Sequence, residues 1–457
     1  MVLHICGTYA QSEKVYALPN LVGDNSIVRP WDNTKYLLYT EETNNNEKFI
    51  LVDNTGQTVT AKEVTLKQWY KIKDFAIYND SVFFIGVYKN SKGFWGYFDI
   101  QNVFYSGDTI TYFLTNTFST AFGTPYDDWG YSFVNFDELQ ILSLPGRTEL
   151  LLTGSRLDET YVGGVLTHFS YTPCLFHVTP PYTNFSYAYN ASISEKFDDI
   201  MRIGNYIVVV GRENYAASNS AKILFRIFNW SNFSFQTSLS NNLTRQDYNL
   251  SFSKVLTEPI GYVDNNVLAT AHYGDLTPNR GLFAEYYSLQ ILNNIISMNR
   301  NYYTFVGQSN PLASGCTIKK SAFNAMSSTL CVLQDMEAPL FNTITSAICK
   351  FDLANFPFVP CSTSYRTDNG IKINSITNSV YSNILFSGKR SSGTLLMREN
   401  VTSPANCILH EDMSATTDYA FLELSHTVTP LTSNYFSATR IPFYSSPTTN
   451  NCSVLCQ

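Results

Sequence analysis

The stretch GNYIVVVGRENYAASNSAKILFRIFNW, residues 204–230, has the clearest strand pattern in the chain. Residues 206–211 form an almost continuous apolar run, residues 222–228 alternate, and a polar loop lies between them. With residues 199–203 before it and residues 233–239 after it, the stretch predicts a four-stranded antiparallel meander. A continuous apolar run is typical of a strand buried on both faces, so we expect this run to be dry on both sides.

The same four-part order recurs along the chain at intervals of roughly 45 to 70 residues, within or slightly above the range of propeller blades. We count seven copies, which begin near Ser26, Asp74, Leu139, Asp199, Ile260, Thr317 and Ile371. In four copies the apolar run ends in glycine, at Gly86, Gly154, Gly211 and Gly388. Such a glycine either permits close approach of another backbone or a bulge, or it breaks the strand before a loop.

Four strands per unit, seven units and no helical period predict an all-β fold over residues 25–400, a seven-bladed β-propeller of four-stranded antiparallel blades. Residues 1–24 are expected to hold a signal remnant, and closure of the ring by a strand of this segment on the last blade is an alternative to closure by the C-terminal residues. Residues 401–457 are expected either to complete the last blade, with residues 407–412 as its outer strand, or to form a small appended β segment.

The chain resembles β-propellers in the pattern of this repeat. It lacks the repeated Trp-Asp blade ending and the Asp box of the sialidase type, and a kelch-like glycine pair occurs once, at Gly163-Gly164. Its composition, signal-like start and cysteine-containing tail are similar to uncharacterised secreted propellers of gut Bacteroidetes. The resemblance implies a propeller fold and leaves the ligand open.

The composition indicates a globular chain, because 44% of the residues are apolar, 15% are aromatic and only 15% are charged. A net charge of -7 gives no electrostatic footprint for nucleic acid. No apolar stretch approaches the roughly 18 to 20 residues that a membrane-spanning helix needs. These features predict a soluble protein without a membrane span or a nucleic-acid partner.

The N-terminal residues 1–14 resemble the end of a secretory signal, with small residues before Gln11. An ordinary first strand is the alternative interpretation. Among the nine cysteines, those that fall on successive predicted strands, where neighbours could be cross-linked, are Cys331, Cys349 and Cys361. We therefore expect a secreted, periplasmic or cell-surface location.

Signatures of metal and cofactor binding are missing from the sequence. The six histidines are scattered, and the closest pair, His168 and His177, flanks a proline-containing segment that predicts a turn. No glycine-rich phosphate loop and no nucleophile elbow occurs. Neither a metal nor a cofactor is therefore expected.

Carboxylates carry the enzymatic hypothesis. Glycosidases use two carboxyl groups that flank one bond, but the adjacent Asp198 and Asp199 would point to opposite faces of a regular strand. A useful pair would come from first strands of different blades, which line the channel and carry or adjoin Asp74, Glu138, Asp199, Glu258 and Lys320. Asp199 and Glu138 are the candidate catalytic residues, and the alternative is that they are solvated charges on the channel wall.

Ligand binding is expected on the face where loops join second to third strands and where blades connect. These loops carry aromatic and hydrogen-bonding groups that suit a sugar or a peptide. The candidate ligand-binding residues on the strand-joining loops are Arg156, Arg212, Tyr215, His272, Tyr273 and Arg390. Those on a connection between blades are Tyr126, Asp128, Trp129 and Tyr131, although Trp129 has packing between blades as an alternative role.

The sequence thus predicts a binding or interaction module for a glycan or a protein. An enzyme that acts on polysaccharide through carboxylates from different blades is the first alternative. A structural component of a phage or a cell envelope is the second. No recognised catalytic signature favours the enzyme.

Overall fold

The structure is a computed structural model of the 457-residue chain, and its described part consists almost entirely of antiparallel β-strands. It describes the strands given below, one short helical turn, Asn102–Ser106, and residues 24–26, 31–32, 34, 79–80, 100–101, 205 and 230–231. The prediction of an all-β fold is confirmed. No helix within these described residues is long and apolar enough to cross a membrane.

The strands form seven antiparallel sheets, numbered here in the order in which their first strands occur in the chain. Sheet 1 contains Ile27–Pro30, Lys35–Glu41, Glu47–Asp53, Thr60–Leu66 and Tyr444–Asn451. Sheet 2 contains Tyr70–Tyr78, Ser81–Tyr88, Lys92–Asp99, Thr111–Thr115 and Ser437–Ile441. Sheet 3 contains Val134–Leu144, Arg147–Val162, Val165–Thr179 and Asn184–Asn190.

The other four sheets repeat this order. Sheet 4 contains Glu195–Ile203, Tyr206–Glu213, Ala221–Asn229, Asn241–Arg245 and Phe421–Leu424. Sheet 5 contains Leu250–Pro259, Asn266–Asp275, Leu282–Leu292, Ile295–Val306 and Ala415–Thr416. Sheet 6 contains Gly315–Asn324, Thr329–Ala338, Thr343–Asp352, Val359–Thr367 and Ile408–Glu411. Sheet 7 contains Ile371–Asn378, Asn383–Arg390, Gly393–Asn400, Lys14–Leu18 and Ser453–Cys456.

The first strands of the seven sheets form a closed inner ring. Each lies against the first strand of the next sheet, and Ile371–Asn378 of sheet 7 lies against Ile27–Pro30 of sheet 1. The space that they enclose is the central channel. Sheet 7 takes its fourth strand from the other end of the sequence, because Lys14–Leu18 pairs antiparallel with Gly393–Asn400.

The core lies between the sheets, because both faces of a second strand are covered by neighbouring sheets. The side chains of residues 207–210 are fully buried in a strand, which confirms the prediction from their apolar run. In sheet 2, alternate residues serve opposite interfaces: Phe84 packs in an apolar cluster with sheet 1, and Phe83 packs in another with sheet 3. Each large apolar side chain buried in this way contributes about 1.5 to 3 kcal/mol to stability.

The meander predicted around residues 199–239 has a different fourth strand. Asn241–Arg245 pairs with Ala221–Asn229, whereas the predicted fourth strand at residues 233–239 lies outside the described residues.

The turn predicted at Asn79 and Asp80 is confirmed. Both residues adopt left-handed backbone angles, with φ values of 46° and 61°, and so form the tight turn that suits twisted hairpins. Trp31, which follows the first strand of sheet 1, contacts this turn through Nε1, which donates to Asp80 Oδ1 at 2.7 Å. The backbone nitrogen of Ile100 donates to the Asp80 carbonyl at 2.8 Å.

The C-terminal tail, residues 401–457, adds a fifth strand to the outer edge of every sheet except sheet 3 in the part of the chain that the structure describes. Along the chain, its strands pair with sheets 6, 5, 4, 2, 1 and 7 in that order. Residues 407–412 therefore differ from expectation, since Ile408–Glu411 pairs with Val359–Thr367 of sheet 6 and not with sheet 7. Outer edges carry unpaired backbone groups, so each of them can accept a strand of this kind.

The predicted cross-link at Cys331 is wrong, because this residue is a buried thiol. The register places Cys331 opposite Lys350 and Cys349 opposite Val332. The two cysteines are thus offset by one position on neighbouring strands.

Candidate functional site

A β-bulge occurs near the start of the first strand in sheets 2 to 7. Each bulge coincides with two consecutive polar residues: Lys73-Asp74, Asp137-Glu138, Asp198-Asp199, Ser253-Lys254, Lys319-Lys320 and Asn374-Ser375. An extra residue interrupts the regular alternation of side chains between two faces. Asp198 and Asp199 are therefore not held to opposite faces as they would be in a regular strand.

A glycine of the second strand lies opposite the residue before the bulge in four sheets. The pairs are Ile72 with Gly86, Phe136 with Gly154, Phe197 with Gly211 and Ile373 with Gly388. The second strands continue past these glycines, so their interpretation as strand breaks is wrong. A Cβ on Gly388 would lie 2.3 Å from the Lys372 carbonyl oxygen, which confirms the close-approach interpretation at this position.

Lys320 of sheet 6 reaches across the central channel. Its Nζ donates to Glu138 Oε2 of sheet 3 at 2.8 Å and lies 3.9 Å from Asp74 Oδ2 of sheet 2. Burial lowers the pKa of Lys320, but the charges of Asp74 and Glu138 outweigh this effect and raise it above its usual range. Lys320 is therefore a cation that joins three sheets.

Asp74 of sheet 2 bonds to residues of both neighbouring sheets, sheet 1 and sheet 3. Its Oδ1 accepts hydrogen bonds from Arg29 Nη2 of sheet 1 at 3.1 Å and from its neighbour Phe75 N at 2.9 Å. Its Oδ2 accepts one from Leu139 N of sheet 3 at 3.2 Å. Burial raises the pKa of Asp74, and the positive charges of Lys320 and Arg29 oppose that rise.

Lys319, the residue beside Lys320, bonds to a different neighbour. Its Nζ donates to the Ile373 carbonyl at 3.1 Å and to Asn374 Oδ1 at 3.2 Å, both in sheet 7. Two consecutive lysines at one bulge thus contact different sheets. Since the bulges of sheets 3 and 4 carry four carboxylates and those of sheets 5 and 6 carry three lysines, the ring of bulges has an acidic and a basic arc.

The two candidate catalytic residues, Glu138 and Asp199, lie on neighbouring first strands, and both interact electrostatically with Lys320. Glu138 bonds to Lys320, and the charge of Asp199 contributes to the raised pKa of Lys320. Glu138 and Asp74 both contact the Lys320 ammonium, so they lie nearer together than the roughly 10 Å upper limit for a glycosidase pair. Their side chains are only 8% and 4% exposed and are bonded to cations, which is the geometry of a structural ion-pair network.

Half of the candidate ligand-binding residues lie in strands and not in loops: Arg156, Arg212, His272, Tyr273 and Arg390. The other half lie outside the described residues: Tyr126, Asp128, Trp129, Tyr131 and Tyr215. The loop assignments are wrong because backbone pairing between second and third strands continues through these positions, as in the hairpin of Arg147–Val162 with Val165–Thr179. In the register, each of these five residues pairs with a first-strand residue that lies either at the bulge or on its N-terminal side.

Sequence reasoning missed a buried carboxyl group on the third strand of sheet 1. Tyr39 donates a short hydrogen bond to Glu47, and the Tyr39 hydroxyl accepts one from Ile72 N of sheet 2 at 3.1 Å. Burial raises the pKa of Glu47 to about 8, the bond from Tyr39 opposes the rise, and the charge of Glu41 adds to it. Glu47 begins its strand, where a charged residue is ordinarily exposed, so the sequence carries no signal of this burial.

Sequence reasoning also missed Arg29, which lies on the short first strand of sheet 1 and bonds to Asp74. Arg29 could have been found by comparing the first strands of all the repeats. Five of the other six first strands carry a charged residue at the bulge, so a charged residue is also expected in the first strand of sheet 1.

His168 and His177 share one strand, Val165–Thr179, and do not flank a turn as predicted. Nε2 of His177 lies 2.5 Å from Oε2 of Glu149 on the neighbouring strand. Among the residues that the structure describes, no group of three or more His, Cys, Asp or Glu side chains is placed to hold a metal ion.

Comparison with known proteins finds similarity in solved structures alone. No protein-family model matches the chain, and no curated protein matches it. An oligogalacturonate lyase in complex with manganese is similar with a TM-score of 0.46 and 9% identity, over 84% of this chain and 90% of that one. An Aleuria aurantia lectin is similar with a TM-score of 0.40 and 7% identity, over 75% and 96%. The Nup133 β-propeller domain of Vanderwaltozyma polyspora is similar with a TM-score of 0.30 and 11% identity, over 82% and 99%.

These similarities are weak. Identities of this size are compatible with a shared fold and do not extend to ligands, and TM-scores below 0.5 carry no argument about activity. The function must therefore be argued from the geometry of this chain.

Proposed function

We propose that the chain is a seven-bladed β-propeller with four-stranded blades that acts as a binding or interaction module for a glycan or a protein. Support for the architecture comes from seven antiparallel sheets whose first strands contact one another in a closed ring. In this proposal the tail strands are additions to the outer edges of the blades. A secreted, periplasmic or cell-surface location is part of the proposal and rests on the signal-like N-terminal residues.

The observation that carries the proposal for binding is the bonding of the channel carboxylates. Glu138 and Asp74 are held by Lys320 and Arg29, and both carboxylates are nearly buried. A general acid or base must reach the proton that it transfers, and it needs a pKa matched to that task. Carboxylates that are engaged in this way hold the ring together, so recognition is assigned to other residues.

The proposed recognition surface is the end of the channel nearest the bulges. Arg156, Arg212 and Arg390 belong to second strands and lie opposite residues that precede the bulges. Arginine offers several hydrogen-bond donors in a fixed plane, and aromatic rings such as that of Tyr273 offer apolar area, which together suit a sugar or a peptide.

Binding of the purified chain to an oligosaccharide array tests this surface. We expect Arg212→Ala to weaken binding about tenfold, the usual effect of removing an anchoring side chain. Arg202→Ala is the matched control in the same sheet, because Arg202 lies near the opposite end of the first strand and stacks 4.0 Å from the Trp230 ring. Equal effects of the two variants would contradict the proposed surface.

A protein ligand is tested with the same two variants on an array of extracellular proteins. Binding that depends on Arg212 on the protein array, without binding on the sugar array, would identify a protein ligand. If binding depends on Arg212 on neither array, the proposal is wrong.

The polysaccharide-enzyme alternative is tested by the release of reducing ends from a panel of polysaccharides. We expect no turnover by the natural chain. Turnover that is lost in both Asp199→Asn and Glu138→Gln would replace binding with catalysis as the function. A stable multimer in light scattering that responds to neither array would favour the phage or envelope component.

A further inference from the structure

At three of the bulges, a backbone N–H donates a hydrogen bond to a side chain of the preceding sheet. The bonds run from Ile72 N to Tyr39 Oη at 3.1 Å, from Leu139 N to Asp74 Oδ2 at 3.2 Å and from Ile373 N to Ser346 Oγ at 2.8 Å. In each case the donor residue directly flanks the polar pair at the bulge. Ile72 and Ile373 precede the polar pair and Leu139 follows it, so contacts from one side or the other of a bulge join sheets 1 and 2, sheets 2 and 3, and sheets 6 and 7.

The physical cause of these contacts is the interrupted ladder. A bulge disrupts the hydrogen bonding of its own strand pair, and a buried backbone group without a partner is costly. Ile373 and Ser346 are both buried. Residues of sheet 6 bond to both backbone groups of Ile373. Ser346 accepts from its N–H, and Lys319 donates to its carbonyl at 3.1 Å.

We propose that each of these bulges is a latch between sheets, and that Tyr39, Asp74 and Ser346 are the positioning residues that close the latches. The bulge offers a backbone donor, and the preceding sheet supplies any side chain with a suitably placed oxygen. A phenol, a carboxylate and a hydroxyl all meet this requirement, so the latch leaves no repeated side-chain motif. The inference concerns how the sheets are held around the channel, and it does not depend on ligand binding.

Gly388 supports the latch between sheets 6 and 7 from the other side. The Lys372 carbonyl approaches the place where a Cβ of residue 388 would lie, so a larger residue would push the bulge away from its own sheet. Sheets 5 and 6 carry Tyr273 and Gln334 opposite the residue before their bulges.

Deuterium uptake in peptides that cover residues 371–378 tests the proposal in the full-length protein. We expect Ser346→Ala to increase the exchange rate of the Ile373 amide about tenfold, which corresponds to the loss of one buried hydrogen bond. Ser387→Ala is the matched control. Ser387 is equally buried, but its hydroxyl has no hydrogen-bond partner in the described structure, so its removal should leave the exchange unchanged.

Equal exchange in Ser346→Ala and Ser387→Ala would overturn the latch. Ser346→Thr keeps the hydroxyl oxygen and should restore protection of the Ile373 amide, which a role in packing alone would not require. If Ser346→Ala fails to fold, Tyr39→Phe tests the latch between sheets 1 and 2. That variant should increase uptake at residues 70–78, and unchanged uptake there would also overturn the proposal.

Discussion

Lys320 of sheet 6 and Glu138 of sheet 3 meet across the central channel, with 2.8 Å between Nζ and Oε2. Lys320→Met takes the cation away from two nearly buried carboxylates, and Glu138→Gln leaves Lys320 with Asp74 at 3.9 Å in place of the 2.8 Å contact. We expect Lys320→Met and Glu138→Gln each to lower the free energy of unfolding by about 3 kcal/mol in urea denaturation. The double variant should recover part of this loss, because it contains neither charge.

The matched control for this pair is the pair of Lys389 and Asp24. Lys389 Nζ lies 2.9 Å from Asp24 Oδ2, and the two side chains are 40% and 44% exposed. Exposed pairs are screened by solvent, so Lys389→Met should change the free energy of unfolding by less than about 1 kcal/mol. Equal losses for Lys389→Met and Lys320→Met would contradict the role of the cross-channel pair.

Glu47 should make the protein less stable as the pH rises. Its pKa is about 8 in the folded state and 4.5 as an ordinary glutamate, so the folded state binds the additional proton between these values. The free energy of unfolding should therefore fall with rising pH across this window, by at most about 1.4 kcal/mol per unit from this group. Glu47→Gln should remove this slope, as measured by urea denaturation from pH 5 to about pH 8. A slope that is the same in both proteins would exclude Glu47 as its source.

Asp80 should be sensitive to substitution for two separable reasons. It has a φ of 61°, and its carboxylate accepts the hydrogen bond from Trp31. Asp80→Gly loses the hydrogen bond but also removes the Cβ that a left-handed conformation disfavours, whereas Asp80→Ala loses the hydrogen bond and keeps that Cβ. We expect the alanine variant to be less stable than the glycine variant by about 1 kcal/mol in urea denaturation. Equal free energies of unfolding for the alanine and glycine variants would show that the left-handed backbone angle does not lower stability.

Phe49 should be a large contributor to the interface between sheets 1 and 2. It is fully buried, and its ring centroid lies 5.2 to 5.6 Å from those of four other aromatic rings: Tyr39, Phe75, Phe84 and Phe98. Phe49→Ala should lower the free energy of unfolding by about 3 to 5 kcal/mol, because a cavity remains. Phe49→Leu is the control and should cost less than half as much. A loss below about 1 kcal/mol for the alanine variant would mean that the interface closes around the gap.

The sequence predicts a strand well where both faces of that strand are buried. Residues 207–210 can be read as dry because only an apolar run tolerates neighbours on two sides, and the turn at Asn79 and Asp80 follows from residues that accept positive φ. Both features depend on local physics that the residues themselves carry.

The bulges and the extent of the hairpins could not be predicted in the same way. An extra residue in a ladder is defined by the partner strand, so the adjacent aspartates at residues 198 and 199 look regular in the sequence. Polar residues such as Arg156 are typical of loops, yet backbone pairing with Thr172 continues through that position. The sequence predicts that the first strands bring Glu138 and Lys320 to the same channel, but the specific pairing of these two residues depends on the closure of the ring.

The tail strand Ser453–Cys456 and the strand Lys14–Leu18 are antiparallel neighbours, with Cys456 opposite Val15. The end of one strand therefore adjoins the beginning of the other, as in a hairpin whose turn has been left out. A short turn that joins residue 456 to residue 14 would make the polypeptide circular, and new termini opened at residues 79–80 would cut no strand. A circular permutant of this kind should keep every sheet, because the order of pairing around the ring has no privileged starting point.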